Sequence, residues 1–206
     1  MRKIVSIIAV ICLAALCCNG LSAQTQAGAK TPAKSQVNWT ELISDSGTNQ
    51  SKMNFSVYAL PQFSIAQTVK FNPPKPGWKL TRIAIFGSDG WNSTHKELPV
   101  EQIFEVEVRD ENLNLLYQYA DTQLDYFTSP YGAKWASIDV PDVIVNGPFY
   151  IGFYGRGVVG IGTEINKTTG NSFYYVRDLG TLLEGTVPPG GNKTLPVNWL
   201  IRAYGA

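Results

Sequence analysis

In the stretch FEVEVRD, residues 104–110, apolar and charged side chains alternate from Phe104 to Arg109. Period two is the repeat of an extended chain, whose successive side chains point to opposite faces. Phe104, Val106 and Val108 therefore belong to one face and Glu105, Glu107 and Arg109 to the other. The next residues, DENLN, carry turn chemistry, and LLYQYA at 115–120 returns as a second strand, so the segment reads as a hairpin. Similar apolar runs recur at 63–71, 78–87, 135–140, 149–155, 158–163, 172–178 and 199–205, punctuated by Asn72-Pro73-Pro74 and Asn146-Gly147-Pro148. Past residue 23 no stretch holds a helical period, although VEQIF at 100–104 could make one turn. The pattern predicts an all-β chain: a single antiparallel β-sandwich, jelly-roll-like, of eight to ten strands. Another two-sheet topology remains open.

The first residues predict export. Arg2 and Lys3 precede an apolar and small-residue run from Ile4 to Cys18. As a helix this run reaches roughly 22 Å, short of a hydrocarbon core of roughly 30 Å, which suits a secretory signal at residues 1–23 better than a membrane span. Cleavage is expected after Ala23 or Gly20, and lipid attachment at Cys17 or Cys18 is the alternative. Cys12, Cys17 and Cys18 are all the cysteines there are, so the processed chain would have no disulfide, thiolate nucleophile or thiolate-held metal. Residues 24–36, QTQAGAKTPAKSQ, read as a flexible linker, and 37–206 as the sandwich domain. The chain closes on a strand-like VNWLIRAYGA with no apolar sorting tail, so no membrane span is expected after signal cleavage. Charge is nearly balanced, 17 Lys and Arg against 16 Asp and Glu, with no basic stripe for nucleic acid. The expected setting is secreted, extracellular or at the cell surface.

The order QTVKFNPPKPGWKLTRIAIFGSDG, FEVEVRDENLNLLY, PFYIGFYG, NSFYYVRD and WLIRAYG, over roughly residues 55–206, resembles exported jelly-roll accessory domains of secreted bacterial and archaeal proteins. The resemblance implies the fold and the exported setting, and brings no catalytic residues with it. Such domains commonly stand beside other modules; here the domain reads as standing alone.

Six Asn-x-Ser/Thr triplets begin at Asn38, Asn49, Asn54, Asn92, Asn166 and Asn192, against roughly two expected by chance from the Asn, Ser and Thr content. They are candidate glycosylation sites, and each occupied one must lie at the surface.

Candidate chemistry gathers at GSDGWNSTHKE, residues 87–97, which holds the single histidine, His95. One histidine without a GxSxG element or a second soft ligand makes neither a hydrolase triad nor a zinc site, so His95 reads as an ordinary loop residue. Glu105 and Glu107 have a spacing that resembles a two-carboxylate glycosidase pair, but with Arg109 in the same row they read as the solvated face of a hairpin. Asp89, Asp110, Glu111, Asn112 and Asn114 offer oxygen ligands for calcium, yet DENLN lacks the calcium-loop spacing and reads as a turn. No catalytic residue, cofactor or metal is assigned.

Aromatics give the functional lead. Trp91, Tyr126, Tyr131, Tyr150 and Tyr174 are candidates to stack on sugar rings; the alternative is that they fill the core and its margins. Two readings follow. One is a non-catalytic binding or adhesion module, with polysaccharide or cell-surface glycans as ligand. The other is a self-associating structural surface protein, in which 37–45 adds as a strand to a neighbour.

Overall fold

The computed structural model describes residues 39–47, 49, 52, 54–91, 100–165, 167–188 and 194–206. The leader, the linker, His95 and four sequon asparagines (Asn38, Asn92, Asn166 and Asn192) lie outside the described residues.

The chain is all-β, as its alternation predicts. Its strands are β1 (Thr40–Ile43), β2 (Ser56–Tyr58), β3 (Ile65–Phe71), β4 (Trp78–Ser88), β5 (Ile103–Asp110), β6 (Leu115–Thr122), β7 (Lys134–Val145), β8 (Phe149–Gly155), β9 (Gly160–Ile165), β10 (Ser172–Val176), β11 (Thr181–Glu184), β12 (Thr186–Val187), β13 (Leu195–Trp199) and β14 (Ile201–Gly205). A single helical turn, α1 (Leu124–Phe127), follows β6, and a 3₁₀ turn at Arg177–Leu179 follows β10. The helical turn falls on LDYF; VEQIF instead leads into β5.

Two antiparallel sheets pack face to face. One runs β1-β14-β4-β9-β13-β12, with β7 on the other edge of β4 and β2 on β9; the second runs β11-β10-β3-β8-β5-β6. Fourteen strands exceed the expected eight to ten because β2, β11 and β12 are two to four residues long, too short for alternation to register. WLIRAYG also divides. Leu200 leaves the ladder between β13 and β14, donates to Gly162 O (2.9 Å) and accepts from Phe86 N (3.0 Å), so one chain segment serves both β9 and β4.

The inward faces carry the core: Leu80, Ile83, Ile85, Ile138, Ile161, Val197 and Trp199 from one sheet, Val69, Phe104, Val106, Val108, Ile151 and Phe153 from the other. Trp199 ties the layers together. Its indole lies 5.2 Å from the Tyr174 ring and donates to Phe173 O across the sheets (2.9 Å). Pro141 sits in β7 without cost because β7 is an edge strand and the β4–β7 register shifts beside it.

At Gly155, the last residue of β8, the Val159 backbone crosses so closely that an added Cβ would run into its carbonyl oxygen. Gly155→Ala should therefore destabilise by about 3 kcal/mol in urea unfolding, since backbone rather than a movable side chain must give way. An unchanged midpoint would show that the crossing can relax.

Candidate functional site

The outer face of the six-stranded sheet corrects one expectation. Glu105 and Glu107 are not a solvated row: they are 5% and 3% exposed. Their register sets them beside Tyr154 and Gly152 of β8, and beyond these lie Ala66 and Thr68 of β3. Ala66 and Thr68 close in on Gly152, leaving little room for a Cβ there. Glu107 accepts from Arg109 Nε (2.8 Å), the Tyr154 hydroxyl (2.8 Å) and Arg177 (3.0 Å). Glu105 accepts from Gln118 Nε2 (2.8 Å) and pairs with Arg177. The guanidinium carbons of Arg177 and Arg109 lie 4.2 Å and 4.5 Å from the ring centres of Tyr154 and Tyr175. Two carboxylates against two guanidiniums leave the cluster neutral.

The two acids are pushed apart. Burial raises Glu105 above the ordinary carboxylate range despite the opposing pull of Arg177 and Gln118. Glu107 suffers the same burial, but the bonds from Arg109 and Tyr154 prevail and hold it below that range. Burial and the bond to Glu107 in turn raise the Tyr154 phenol. Every Glu107 oxygen is spent on a neighbour, so this lattice braces the sheet's outer surface.

The DENLN turn behaves as its composition predicts. Asp110 accepts from the backbone amides of Asn112 (2.9 Å) and Asn114 (2.8 Å) and from the Asn114 side chain (2.8 Å). These bonds overcome a desolvation penalty and lower its pKa. The carboxylate is used to close the hairpin.

The aromatic candidates scatter. Tyr174 points inward, packs on Trp199 and donates to Thr186 O (2.9 Å). Tyr150 is buried on the opposite face of its sheet, 6.2 Å from Phe173. Tyr126 packs edge-on against Phe104 (5.1 Å), its hydroxyl 2.8 Å from that of Tyr119. Trp91 is half-buried, with its amide on Asp89 (3.0 Å), and Asp89 also accepts from Thr128. That bond brings the Trp91 and Tyr126 segments to one end of the sandwich, where Tyr131 stands 95% exposed. Asn49 and Asn54, the two described sequon asparagines, are both exposed.

An open aromatic face lies elsewhere, on the outer side of the eight-stranded sheet. The registers Ser137–Ala84–Arg202–Ile43 and Asp139–Arg82–Tyr204–Glu41 run across β7, β4, β14 and β1. Trp135 adds a ring on β7, and Trp39, just before β1, is 64% exposed. Between them run two grooves of about 430 and 290 Å³, joined through Arg82 and Tyr204. Four strands make the face about 14 Å wide.

Its polar groups are paired. Arg82 Nε donates to Asp139 (2.7 Å). Arg202 grips buried Asp45 through Nε (2.9 Å) and a terminal nitrogen (3.2 Å), reaches Glu41 (3.3 Å) and lies 4.6 Å from the Trp135 ring centre. Burial and the bond to Glu41 push the Tyr204 phenol up to about 12. Arg202 and Tyr204 are therefore held in place, with little side-chain freedom left to lose on binding, while Trp39 and the Arg82–Asp139 pair stand in solvent. The signal was present in WASIDV and IRAY, where Trp135, Asp139, Arg202 and Tyr204 hold the parity opposite the core residues. What the strings do not show is that they share a face with Trp39.

No family model matches the chain, nor does any curated protein or solved structure.

Proposed function

We propose that the domain is an exported, non-catalytic module that binds a polysaccharide across the outer face of its eight-stranded sheet. The observation that supports this most directly is the exposed Trp39 beside Tyr204, Arg82 and Asp139 in one groove. A sugar ring has an apolar face that stacks on an aromatic and hydroxyl edges that bond to fixed charges, and the groove offers both. The breadth of the face suits several consecutive sugar units. The exported setting rests on the signal-like leader, the excess of sequons and the resemblance to exported accessory domains.

Affinity electrophoresis against a panel of soluble neutral and acidic polysaccharides tests the reading. At least one should retard the protein, and Trp39→Ala and Tyr204→Ala should each weaken binding about tenfold, equivalent to about 1.4 kcal/mol. Tyr131→Ala, on a separate loop, should leave it unchanged. Loss of binding in the Tyr131 variant alone would move the site to the loops. Retardation by no polysaccharide would sink the proposal.

The second reading, a self-assembling surface protein, meets a specific feature at residues 40–43. β1 pairs with β14 of its own chain, Thr40 opposite Gly205 through Ile43 opposite Arg202. The segment after it is held by Asp45 on Arg202 and by Ser46 on Glu164. Donating this strand to a neighbour would break those bonds, so self-association is better sought at another edge.

A further inference from the structure

A sheet edge offers unpaired backbone groups to any extended chain, and natural sheets blunt that edge with shortness, proline, bulges or lysine. Among the described residues, the outer edges belong to β1, β2, β6, β7, β11 and β12. Four of these are two to four residues long. β7 is long but carries Pro141 and a register shift. β6 is the exception: eight residues, LLYQYADT, with no proline and no lysine or arginine. Its one irregularity skips Leu116, since Tyr117 lies opposite Val108 and Leu115 opposite Arg109; from Tyr117 to Thr122 it runs in regular register with β5. Leu115 and Leu116 are 47% and 41% exposed.

The sequence of this edge also specifies what fits it. Leu116-Tyr117-Gln118-Tyr119-Ala120 reads nearly the same in both directions about Gln118. Two antiparallel copies related by a two-fold axis at Gln118 would set Tyr117 against the second copy's Tyr119 at both core margins, and Gln118 against Gln118, all within the regular stretch of the strand. Opposed residues then share a face, as the pleat demands, and the aromatic pairs are of the kind that stabilise neighbouring strands. Asp121, the single charge of β6, lies three residues beyond Gln118, so the carboxylates of the two copies stand at opposite ends of the paired stretch and no like charges meet. Tyr119 and Tyr126 already donate their hydroxyls to Asp121, which lowers its pKa and keeps that end of the strand ordered.

We propose that β6 is a homodimerisation edge, where two copies pair antiparallel about Gln118 and join their six-stranded sheets into one. The axis stands perpendicular to that sheet. Both eight-stranded sheets therefore lie on the same side of the joined sheet, and their outer faces look the same way. This interface does not depend on the ligand proposed above.

Light scattering and sedimentation velocity on the processed protein test it. The wild type should show a concentration-dependent monomer–dimer equilibrium. The substitution Gln118→Lys sets lysine against lysine at the axis and should raise the dissociation constant at least about tenfold. Gln118→Cys, the one thiol beyond residue 18, should oxidise to a covalent dimer, whereas Leu183→Cys on exposed β11 should not. If the lysine variant fails to fold, the cysteine pair carries the test alone. A wild type monomeric at every concentration, or equal cross-linking at 118 and 183, would overturn the proposal. Polysaccharide binding is measured separately, so either proposal can fail without the other.

Discussion

Glu107→Ala is expected to destabilise the domain by about 3–5 kcal/mol, the range for removing one partner of a buried ion pair. The variant would leave Arg109 and Arg177 facing each other across an empty site, with the Tyr154 hydroxyl stripped of its acceptor. For a domain of this size that is a drop of roughly 6–20 °C in Tm, read by differential scanning calorimetry or circular dichroism. Glu107→Gln should cost less, since an amide oxygen still accepts from one donor. A loss below about 1 kcal/mol for the alanine variant would mean that water replaces the carboxylate, against the burial seen here.

Acid should show the same lattice from the opposite direction. Glu107 has a depressed pKa in the folded state, so its contribution is present above the unfolded value near 4.5 and is lost as pH falls through the folded one. Glu164, depressed by the Ser46 and Asn198 bonds that outweigh its burial, follows the same sign. Glu105 has the opposite sign: its raised pKa means that protonation near and just above 4.5 favours the folded state. Urea midpoints measured on either side of pH 4.5 should therefore fall on the acid side in the wild type. The fall should be smaller in Glu107→Gln and steeper in Glu105→Gln, which keeps the acid-labile partners without the compensating one.

Trp199→Ala is the second large effect, at about 3–5 kcal/mol. The indole is fully buried between the layers, packed at a tilt against Tyr174 and bonded to Phe173 O. Truncation opens a cavity between the sheets and orphans a carbonyl of the opposite one. Trp199→Phe separates these terms, because it keeps most of the volume and loses the bond. It should recover more than half of the loss in urea unfolding. Equal losses for the two variants would assign the effect to the hydrogen bond rather than to packing.

The fold was legible wherever a strand is long enough to alternate. FEVEVRD, FYIGFYG and WKLTRIAIFG all mark β-strands, and their apolar parity is the core parity. β2, β11 and β12 were not legible, because two to four residues cannot establish a period. The misreading of Glu105 and Glu107 has a different cause. Alternating Glu-x-Glu-x-Arg looks the same in water and under a cover, and here much of the cover is Arg177, 70 positions from Glu107 in sequence. The aromatic face was hidden for a similar reason: Tyr204 meets Glu41 across 163 positions. Tyr150 and Tyr174 drew notice because they sit in aromatic runs, and those runs fill the core and the braced outer surface. The groove takes its rings singly, from WTELI, WASIDV and IRAYG.

The pairing of β1 with β14 sets how the domain would respond to mechanical load. Thr40 lies opposite Gly205, so the described N-terminal end and the C-terminal residue leave from the same end of one antiparallel ladder. A pull entering at Trp39 and leaving at Ala206 acts on that ladder as on a zipper. It parts one backbone bond at a time instead of shearing all of them together, and the first rung to yield is the one beside Trp39. Under tension the domain would lose Trp39 and its edge strand before the sandwich opens, so the face proposed to bind polysaccharide would come apart early, at low force, with the rest of the fold intact.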